Sequence, residues 1–284
     1  LLLGNVGGIL AGVPLALGVD LFGWRMMMGV SGILTLLLAV VTWIALRDDP
    51  SEYGYKSHAH LVVQNHGSLP MAKALKSVIS QKDTWLLFFG GGLSTAPVLV
   101  FAGLWGVPYL TQVYNLETSQ AALITSTMLL SLALSGPISG AISDRLGRRK
   151  LPYLISTNLT TTFWAIFLFV ELPYIMLFPL LAGIGFTSGA MIIGFATARE
   201  VNHPGAAGVV GGVVNMSVLG FASIMQPLLG KILDTHWQGD MVEGARVYNE
   251  AAYSAAFFWL VVCTALSIIM ISLTKETYCR MRDA

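Results

Sequence analysis

Apolar blocks about as long as a lipid bilayer is thick run through almost the whole of this sequence. An α-helix rises 1.5 Å per residue, so roughly 20 apolar residues cross the ~30 Å hydrocarbon core of a bilayer. Because lipid offers no partner to a free backbone N–H or C=O group, such blocks favour helices. The sequence therefore predicts an all-α, polytopic membrane helix bundle with eight transmembrane helices. The eight blocks are 1–19, 24–46, 84–111, 119–143, 152–170, 173–198, 206–233 and 252–274.

Charged residues make up only 11% of the chain, against about 25% in soluble domains. The sequence has no HExxH or GxSxG motif and no pair of carboxylates inside an apolar block, so we expect no enzyme. Three histidines, His58, His60 and His66, lie in a polar segment that supplies no fixed ligand geometry, and we interpret that segment as a solvated loop. We therefore expect no metal, no cofactor and no nucleic-acid partner.

Lys and Arg residues are concentrated at alternate connections between the apolar blocks. The basic residues at these alternate connections are Arg47, Lys56, Lys73, Lys76, Lys82, Arg145, Arg148, Arg149, Lys150, Arg199, Lys275, Arg280 and Arg282. The other three, Arg25, Lys231 and Arg246, lie at the opposite ends of the blocks. Because basic loops stay on the inner side of a membrane, this asymmetry predicts a cytoplasmic C-terminus.

The spacing of the blocks predicts two helical bundles joined by a polar linker. The three parts are 1–46, 47–83 and 84–284. Near the end of the linker, Leu75, Val78 and Ile79 recur at helical spacing among lysines, which is typical of a short amphipathic helix on the inner membrane surface.

Glycines four residues apart predict close approach between helices. Such rows let helix backbones meet in lipid, where no hydrophobic force drives helices together. The rows are Gly4, Gly8 and Gly12, then Gly136 and Gly140, then Gly185 and Gly189, and finally Gly208 and Gly212.

The stretch GAISDRLGRRK, residues 140–150, places five charges in seven residues between two apolar blocks. Gly147 permits a tight turn between antiparallel helices, and the cations hold the loop at the anionic inner surface. Asp144 can meet the positive N-terminal end of a neighbouring helix. A plain membrane anchor is the alternative, and it accounts for the basic residues but not for Gly140 or Asp144.

This stretch resembles the signature loop of the major facilitator superfamily of transporters. The matching residues are Gly140, Asp144, Arg145, Gly147, Arg148 and Arg149. The resemblance implies that four helices precede this chain and that 1–46 holds the last two helices of the N-terminal bundle. It further implies that 47–83 is the cytoplasmic linker and 84–284 the complete C-terminal six-helix bundle.

The same resemblance implies a cytoplasmic gate, because the family pairs these arginines with an acidic residue that Glu200 matches here. It also implies a multi-pass protein of the bacterial inner or plasma membrane that is monomeric at full length, with the lipid bilayer and a small solute as its partners.

A substrate path is implied between the two bundles, lined by the equivalents of the seventh and tenth helices. In block 84–111, Phe101, Trp105 and Tyr109 share one helical face at spacing four, and block 173–198 contributes Met191. Asn215 and Gln226 are amides at lipid depth, where a buried amide needs a partner. Helix packing remains the alternative explanation for each of these residues.

The predicted function is secondary active transport of a small solute by alternating access, with or without a coupling ion. Residues 199–216, REVNHPGAAGVVGGVVNM, are similar to bacterial sugar-phosphate and organic-anion permeases. Phosphate-carrying members use cavity arginines, and block 84–111 has none, which speaks against phosphate. A sensor that binds a solute without moving it and a drug/proton-type exporter remain alternatives.

Overall fold

The computed structural model describes residues 13–47, 50–55, 70–242 and 244–281. Helices α1, Val13–Phe22, and α2, Trp24–Ala45, come first and meet at Gly23, whose φ of 79° favours glycine. A 3₁₀ turn, Pro50–Tyr53, follows. Most of the predicted block 1–19, with Gly4, Gly8 and Gly12, lies outside the described residues, as do the three histidines of the linker.

Helix α2 is apolar on every side, and none of its residues is buried. A helix with that pattern is stable only when lipid or other helices surround it. The structure thus supports a membrane environment for α2.

The remaining helices form one bundle. They are α3, Met71–Ser80; α4, Lys82–Val100; a π-helical turn, Phe101–Trp105; α5, Gly106–Val113; α6, Thr118–Leu146; α7, Lys150–Phe169; α8, Tyr174–Ser188; α9, Met191–Val201; α10, Ala207–Thr235; and α11, Glu250–Ser272. A 3₁₀ turn, Pro204–Ala206, precedes α10. Two short antiparallel strands, β1, Met241–Val242, and β2, Ala245–Arg246, join α10 to α11.

Helix α4 lies at the centre of this bundle, where it contacts α9, α10 and α11, while α8 packs against α6 and α7. One buried cluster surrounds Phe101 and Phe257, and a second contains Val78, Tyr153 and Val214. Leu132, a member of the first cluster, also lines the cavity described below.

Six helices in the described part of the chain are long and apolar enough to cross a membrane, so the predicted number of eight is not confirmed. The six are Trp24–Ala45, Lys82–Val113, Thr118–Leu146, Tyr174–Val201, Pro204–Thr235 and Glu250–Ser272. The predicted block 152–170 forms α7, which is not among the six. Its serine and threonine residues make α7 less apolar than the six helices. Several of them donate to backbone carbonyls one turn back, as Thr157 does to Tyr153 O at 2.8 Å.

The amphipathic segment of the linker forms α3, but its buried face differs from the predicted stripe. Ala74 and Val78 are buried against the bundle, whereas Leu75 and Ile79 are exposed. Gln81, at the end of α3, donates through Nε2 to Val201 O at 2.9 Å. This helix is therefore attached to α9.

The glycine rows divide into packed and open positions. A Cβ on Gly185 would lie 2.1 Å from Met128 O, and one on Gly189 would lie 2.7 Å from Leu132 O, so α8 and α6 meet backbone to backbone there. No described atom lies within 4 Å of a Cβ added at four other row positions, so close packing stays a prediction for them. These positions are Gly136, Gly140, Gly208 and Gly212.

Candidate functional site

The loop between α6 and α7 and the chain after α11 lie together at one end of the bundle, which we call the basic end. Gly147 ends α6 with a φ of 60°, and its N–H donates to Asp144 O at 3.2 Å. An L side chain at that φ would be strained, so glycine is what allows α7 to start at Lys150.

Arg149 is the centre of a charge network at the basic end. Its Nη1 donates to Asp144 Oδ1 at 2.6 Å, and its Nη2 and Nε donate to Glu200 Oε1 at 2.8 and 3.0 Å. The side chains of Arg149 and Glu200 are only 11% and 9% exposed, whereas that of Asp144 is 66% exposed. The network therefore has a buried pair on one side and an accessible carboxylate on the other.

The network keeps the guanidinium of Arg149 charged. Partial burial alone would lower its pKa, but the hydrogen bonds to Glu200 and Asp144 outweigh burial and raise the pKa above its ordinary value. A charge-assisted contact of this kind is stronger than a neutral hydrogen bond.

The predicted pairing of Glu200 with the loop arginines occurs through Arg149 alone. Arg145 and Arg148 are exposed, and neither forms an ion pair within the described residues. No described atom lies within 4 Å of a Cβ added at Gly140, one of the predicted gating residues. The predicted contact of Asp144 with the start of block 1–19 lies outside the described residues, so gating by the loop stays a prediction.

Sequence reasoning missed the segment after α11, residues 273–281, which folds back onto the network. Glu276 accepts from the backbone N–H groups of Arg149 at 2.7 Å and Lys150 at 3.1 Å, and so satisfies free donors at the start of α7. The hydroxyl of Thr277 donates to Glu200 Oε2. A single carboxylate after an apolar block gives no sign of which distant helix it will cap.

The segment also reaches α4 and α6. The N–H of Lys275 donates to Asp83 Oδ1 at 3.2 Å, and the thiol of Cys279 donates to Ser143 O at 3.7 Å. Residues 273–281 therefore join the ends of four helices at the basic end.

Replacing Glu276 with alanine should loosen the start of α7. Partial burial raises the pKa of Glu276, but the N–H groups of Arg149, Tyr278, Lys150 and Thr277 outweigh it and lower the pKa, so the group is a carboxylate at neutral pH. Loss of a helix-capping acceptor costs about 1–2 kcal/mol. We expect faster hydrogen–deuterium exchange in a peptide spanning residues 147–152.

Glu171→Ala is the matched control, since Glu171 is exposed at the opposite end of α7. It should leave exchange at residues 147–152 unchanged. Equal exchange in Glu276→Ala and the parent protein would contradict the capping role.

A cavity of about 500 Å³ lies between α4, α6, α9 and α10. Its lining is mostly apolar, with Thr95 and Asn215 as side-chain hydrogen-bonding groups. The lining residues are Thr95, Leu99, Leu132, Ala133, Gly136, Pro137, Gly189, Met191, Ile192, Asn215, Val218 and Leu219. A volume of this size fits a small solute.

The structure brings two of the predicted path residues, Met191 and Asn215, to this cavity. Phe101 is fully buried, with its ring centroid 6.2 Å from that of Tyr109 in an aromatic cluster. Tyr109 borders a different pocket, which also includes Glu250.

Trp105 packs against the same buried cluster as Phe101 and Tyr109, but its indole reaches α10, and its place on the substrate path stays a prediction. Trp105 ends the π-helical turn, in which hydrogen bonds span five residues instead of four. Its indole Nε1 donates to Gln226 O at 3.2 Å, and a Cβ on Gly230 would lie 3.1 Å from its ring. Trp105 and Gln226 thus join α10 to the π-helical turn, away from the cavity lining.

The sequence matches one known protein family over most of its length. The sequence profile described as Major Facilitator Superfamily matches residues 1–227 and, in an overlapping second match, residues 87–277. The chain belongs to the major facilitator superfamily. The resemblance carried by the loop at 140–150 is confirmed, and the protein is a multi-pass membrane protein that is nearly all helical.

Relatives within the superfamily are similar over most of this chain. The membrane sensor protein UhpC of Escherichia coli strain K12 is 28% identical over 258 residues, which cover 84% of this chain and 57% of that protein. A probable hexose phosphate transport protein of Chlamydia muridarum is 26% identical over 274 residues, again 84% and 57%. A probable nitrate/nitrite antiporter, NarK1 of Thermus thermophilus, is 25% identical over 152 residues, 53% of this chain and 28% of that protein. The chain spans a little over half of the length of the first two.

Proposed function

We propose that this chain is part of a secondary transporter that moves a small solute by alternating access. The observation that carries the proposal is the cavity of about 500 Å³ among α4, α6, α9 and α10. Membership of a transporter family supports the proposal, because pockets between helices are where such proteins hold their solutes.

The network of Asp144, Arg149 and Glu200 acts in this proposal as a latch at the cytoplasmic end. Its buried half, Arg149 with Glu200, holds the α6–α7 loop against α9. Its exposed half, Asp144, retains free acceptor capacity for the positive N-terminal end of another helix. A contact that forms in one conformation and opens in the other biases the balance between inward- and outward-facing states.

Replacing Asp144 with asparagine tests the latch, with the protein made from its complete gene and reconstituted in vesicles. The amide keeps the size of the carboxylate but loses its charge. We expect initial uptake of radiolabelled glucose 6-phosphate to fall about tenfold, which corresponds to about 1.4 kcal/mol, at an unchanged level of purified protein. Asp240→Asn, in the loop before β1, is the control and should retain the parent rate. An unchanged uptake rate in Asp144→Asn would contradict the latch and mean that the α6–α7 loop serves only as a membrane anchor.

An organic anion such as a sugar phosphate is the solute class that we propose. Two observations support it: the similarity of residues 199–216 to sugar-phosphate and organic-anion permeases, and relatives named as probable hexose phosphate transport proteins. A drug/proton-type exporter is the remaining alternative.

A sensor is the second candidate function. It is favoured by the relatives from Escherichia coli and Salmonella typhimurium, 28% and 27% identical, whose name is membrane sensor protein. Vesicle experiments separate the two functions, because a transporter accumulates labelled solute inside the vesicle whereas a sensor binds it without accumulation.

A further inference from the structure

The segment after α11, residues 273–281, holds the basic end together with little apolar packing, and we call it the strap. The side chains of Leu273, Tyr278 and Met281 are 56%, 59% and 59% exposed. Neither of the two buried clusters in the described chain includes a residue of the strap. Because buried apolar contacts are what resist local opening, a segment without them detaches at a low free-energy cost.

The hydrogen bonds of the strap reach four different helices. They join it to Asp83 of α4, to Ser143 of α6, to the first N–H groups of α7 and to Glu200 of α9. Helices α4, α6 and α9 also surround the cavity. Detachment of the strap therefore frees the ends of three helices whose positions determine how the cavity opens.

Two neighbouring residues of the strap, Tyr278 and Cys279, have strained backbones. Their φ values are 52° and 56°, in the left-handed region that residues with a Cβ rarely adopt. They lie in a turn that is closed by a hydrogen bond from the N–H of Arg280 to Thr277 O at 3.1 Å. Strain of this kind persists only where the surrounding contacts hold it, here those of Thr277 and Cys279 with the bundle. Detachment relaxes the turn, so the strain favours the detached strap.

A pocket of about 370 Å³ lies between the strap and the ends of α4 and α9. On the helix side it is lined by Asp83, Glu200 and Val201, and the strap supplies the other lining residues, Lys275, Glu276, Thr277, Arg280 and Met281. The strap thus spans this space instead of filling it. A segment that spans a space loses few packing contacts when it detaches.

We propose that the strap is a releasable clamp. When attached, it fixes the basic ends of α4, α6, α7 and α9 relative to one another. When detached, it lets these ends move as the cavity opens towards the basic end. It attaches and detaches as one unit, since the contacts on both sides of the turn hold the same strained residues. Its effect on uptake rests on the proposed function, whereas its detachment does not.

Hydrogen–deuterium exchange measures detachment without any need for transport. The protein from its complete gene is placed in nanodiscs, and exchange is followed in a peptide spanning residues 147–152, which includes the two amides that Glu276 covers. Thr277→Val removes the bond to Glu200 on α9 but leaves Glu276 in place. Loss of a hydrogen bond to a charged group favours the detached strap, so we expect exchange at residues 147–152 to become about tenfold faster.

Thr235→Val is the matched control. Thr235 is exposed at the end of α10, and its hydroxyl donates to Ile232 O within the same helix. This variant should leave exchange at residues 147–152 unchanged. Unchanged exchange in Thr277→Val would overturn the clamp, because the contacts with α7 and α9 would then open separately.

Tyr278→Gly tests the strain and should have the opposite effect. Glycine adopts a φ of 52° freely, so the attached strap becomes more stable, and exchange at residues 147–152 should slow about fivefold. Tyr278→Ala removes the same exposed side chain but keeps the Cβ, and its exchange should equal that of the parent. Equal exchange in the glycine and alanine variants would overturn the strained clamp.

Uptake of labelled glucose 6-phosphate into vesicles then tests the link to transport. We expect Tyr278→Gly to lower initial uptake about fivefold, in step with the smaller detached fraction, and Tyr278→Ala to retain the parent rate. Slower exchange with unaltered uptake would overturn the requirement that the strap detaches during transport. The expected changes in exchange without accumulation of solute would support the clamp and reject transport, so the two proposals fail separately.

Discussion

Gly185→Ala should prevent most of the protein from folding. The new Cβ would lie 2.1 Å from Met128 O and 2.9 Å from Met128 C. Both atoms belong to the backbone of α6, so no side-chain rotation can relieve the overlap, and α8 must separate from α6. Overpacking of a well-packed interior costs about 1–3 kcal/mol and occasionally more, and the upper end is expected where backbone faces backbone. Size-exclusion profiles of a fluorescent fusion should show loss of the monodisperse peak.

Gly220→Ala is the control for this substitution. Gly220 is also a helix-interior glycine, in α10, but no atom of the described residues lies within 4 Å of a Cβ added there. Alanine has the higher helix propensity, by up to about 1 kcal/mol, so this variant should be at least as stable as the parent. A normal profile for Gly185→Ala would mean that α6 and α8 do not approach as closely as described.

Arg149→Gln should have the second largest effect. The substitution leaves Glu200, whose side chain is 9% exposed, without its counter-charge, and it frees Asp144 as well. Removing one partner of a buried ion pair costs about 3–5 kcal/mol. We expect a lower unfolding midpoint and a loss of uptake in reconstituted vesicles, because the α6–α7 loop separates from α9.

A double-mutant cycle separates the charge effect from a general loss of packing. Arg149→Gln with Glu200→Gln removes both charges, and the pair should be less destabilised than the sum of the single variants. Lys150→Gln is the neighbouring control, since the side chain of Lys150 forms no ion pair in the described part of the chain and its N–H bond to Glu276 is retained. Additive effects of the two substitutions would contradict the direct pairing of Arg149 with Glu200.

The sequence was sufficient to predict the membrane bundle and its family because both depend on local patterns. Long apolar blocks specify helices, and the loop at 140–150 carries a recognisable order of glycines and charges. The pattern could not distinguish Arg149 from Arg145 and Arg148, which have the same chemistry. Only the position of Glu200 on α9 decides which arginine is buried.

Other parts of the site depend on contacts that no local pattern encodes. The indole of Trp105 bonds to α10, a contact that its spacing of four from Phe101 and Tyr109 did not indicate. The glycines are four residues apart both in the row of Gly185, which packs against α6, and in the row of Gly208, which has no described neighbour within 4 Å. The spacing alone therefore cannot show whether another helix lies against a row.

The contact between Glu276 and Arg149 joins residues 127 positions apart in the chain. During synthesis, the α6–α7 loop is made well before Glu276 leaves the ribosome. Segments made first generally fold first, so the start of α7 gains its cap only after Glu276 has been made. The backbone amides of Arg149 and Lys150 therefore stay without this acceptor until Glu276 arrives, and a chaperone or protease could distinguish the two stages by the exposure of these amides.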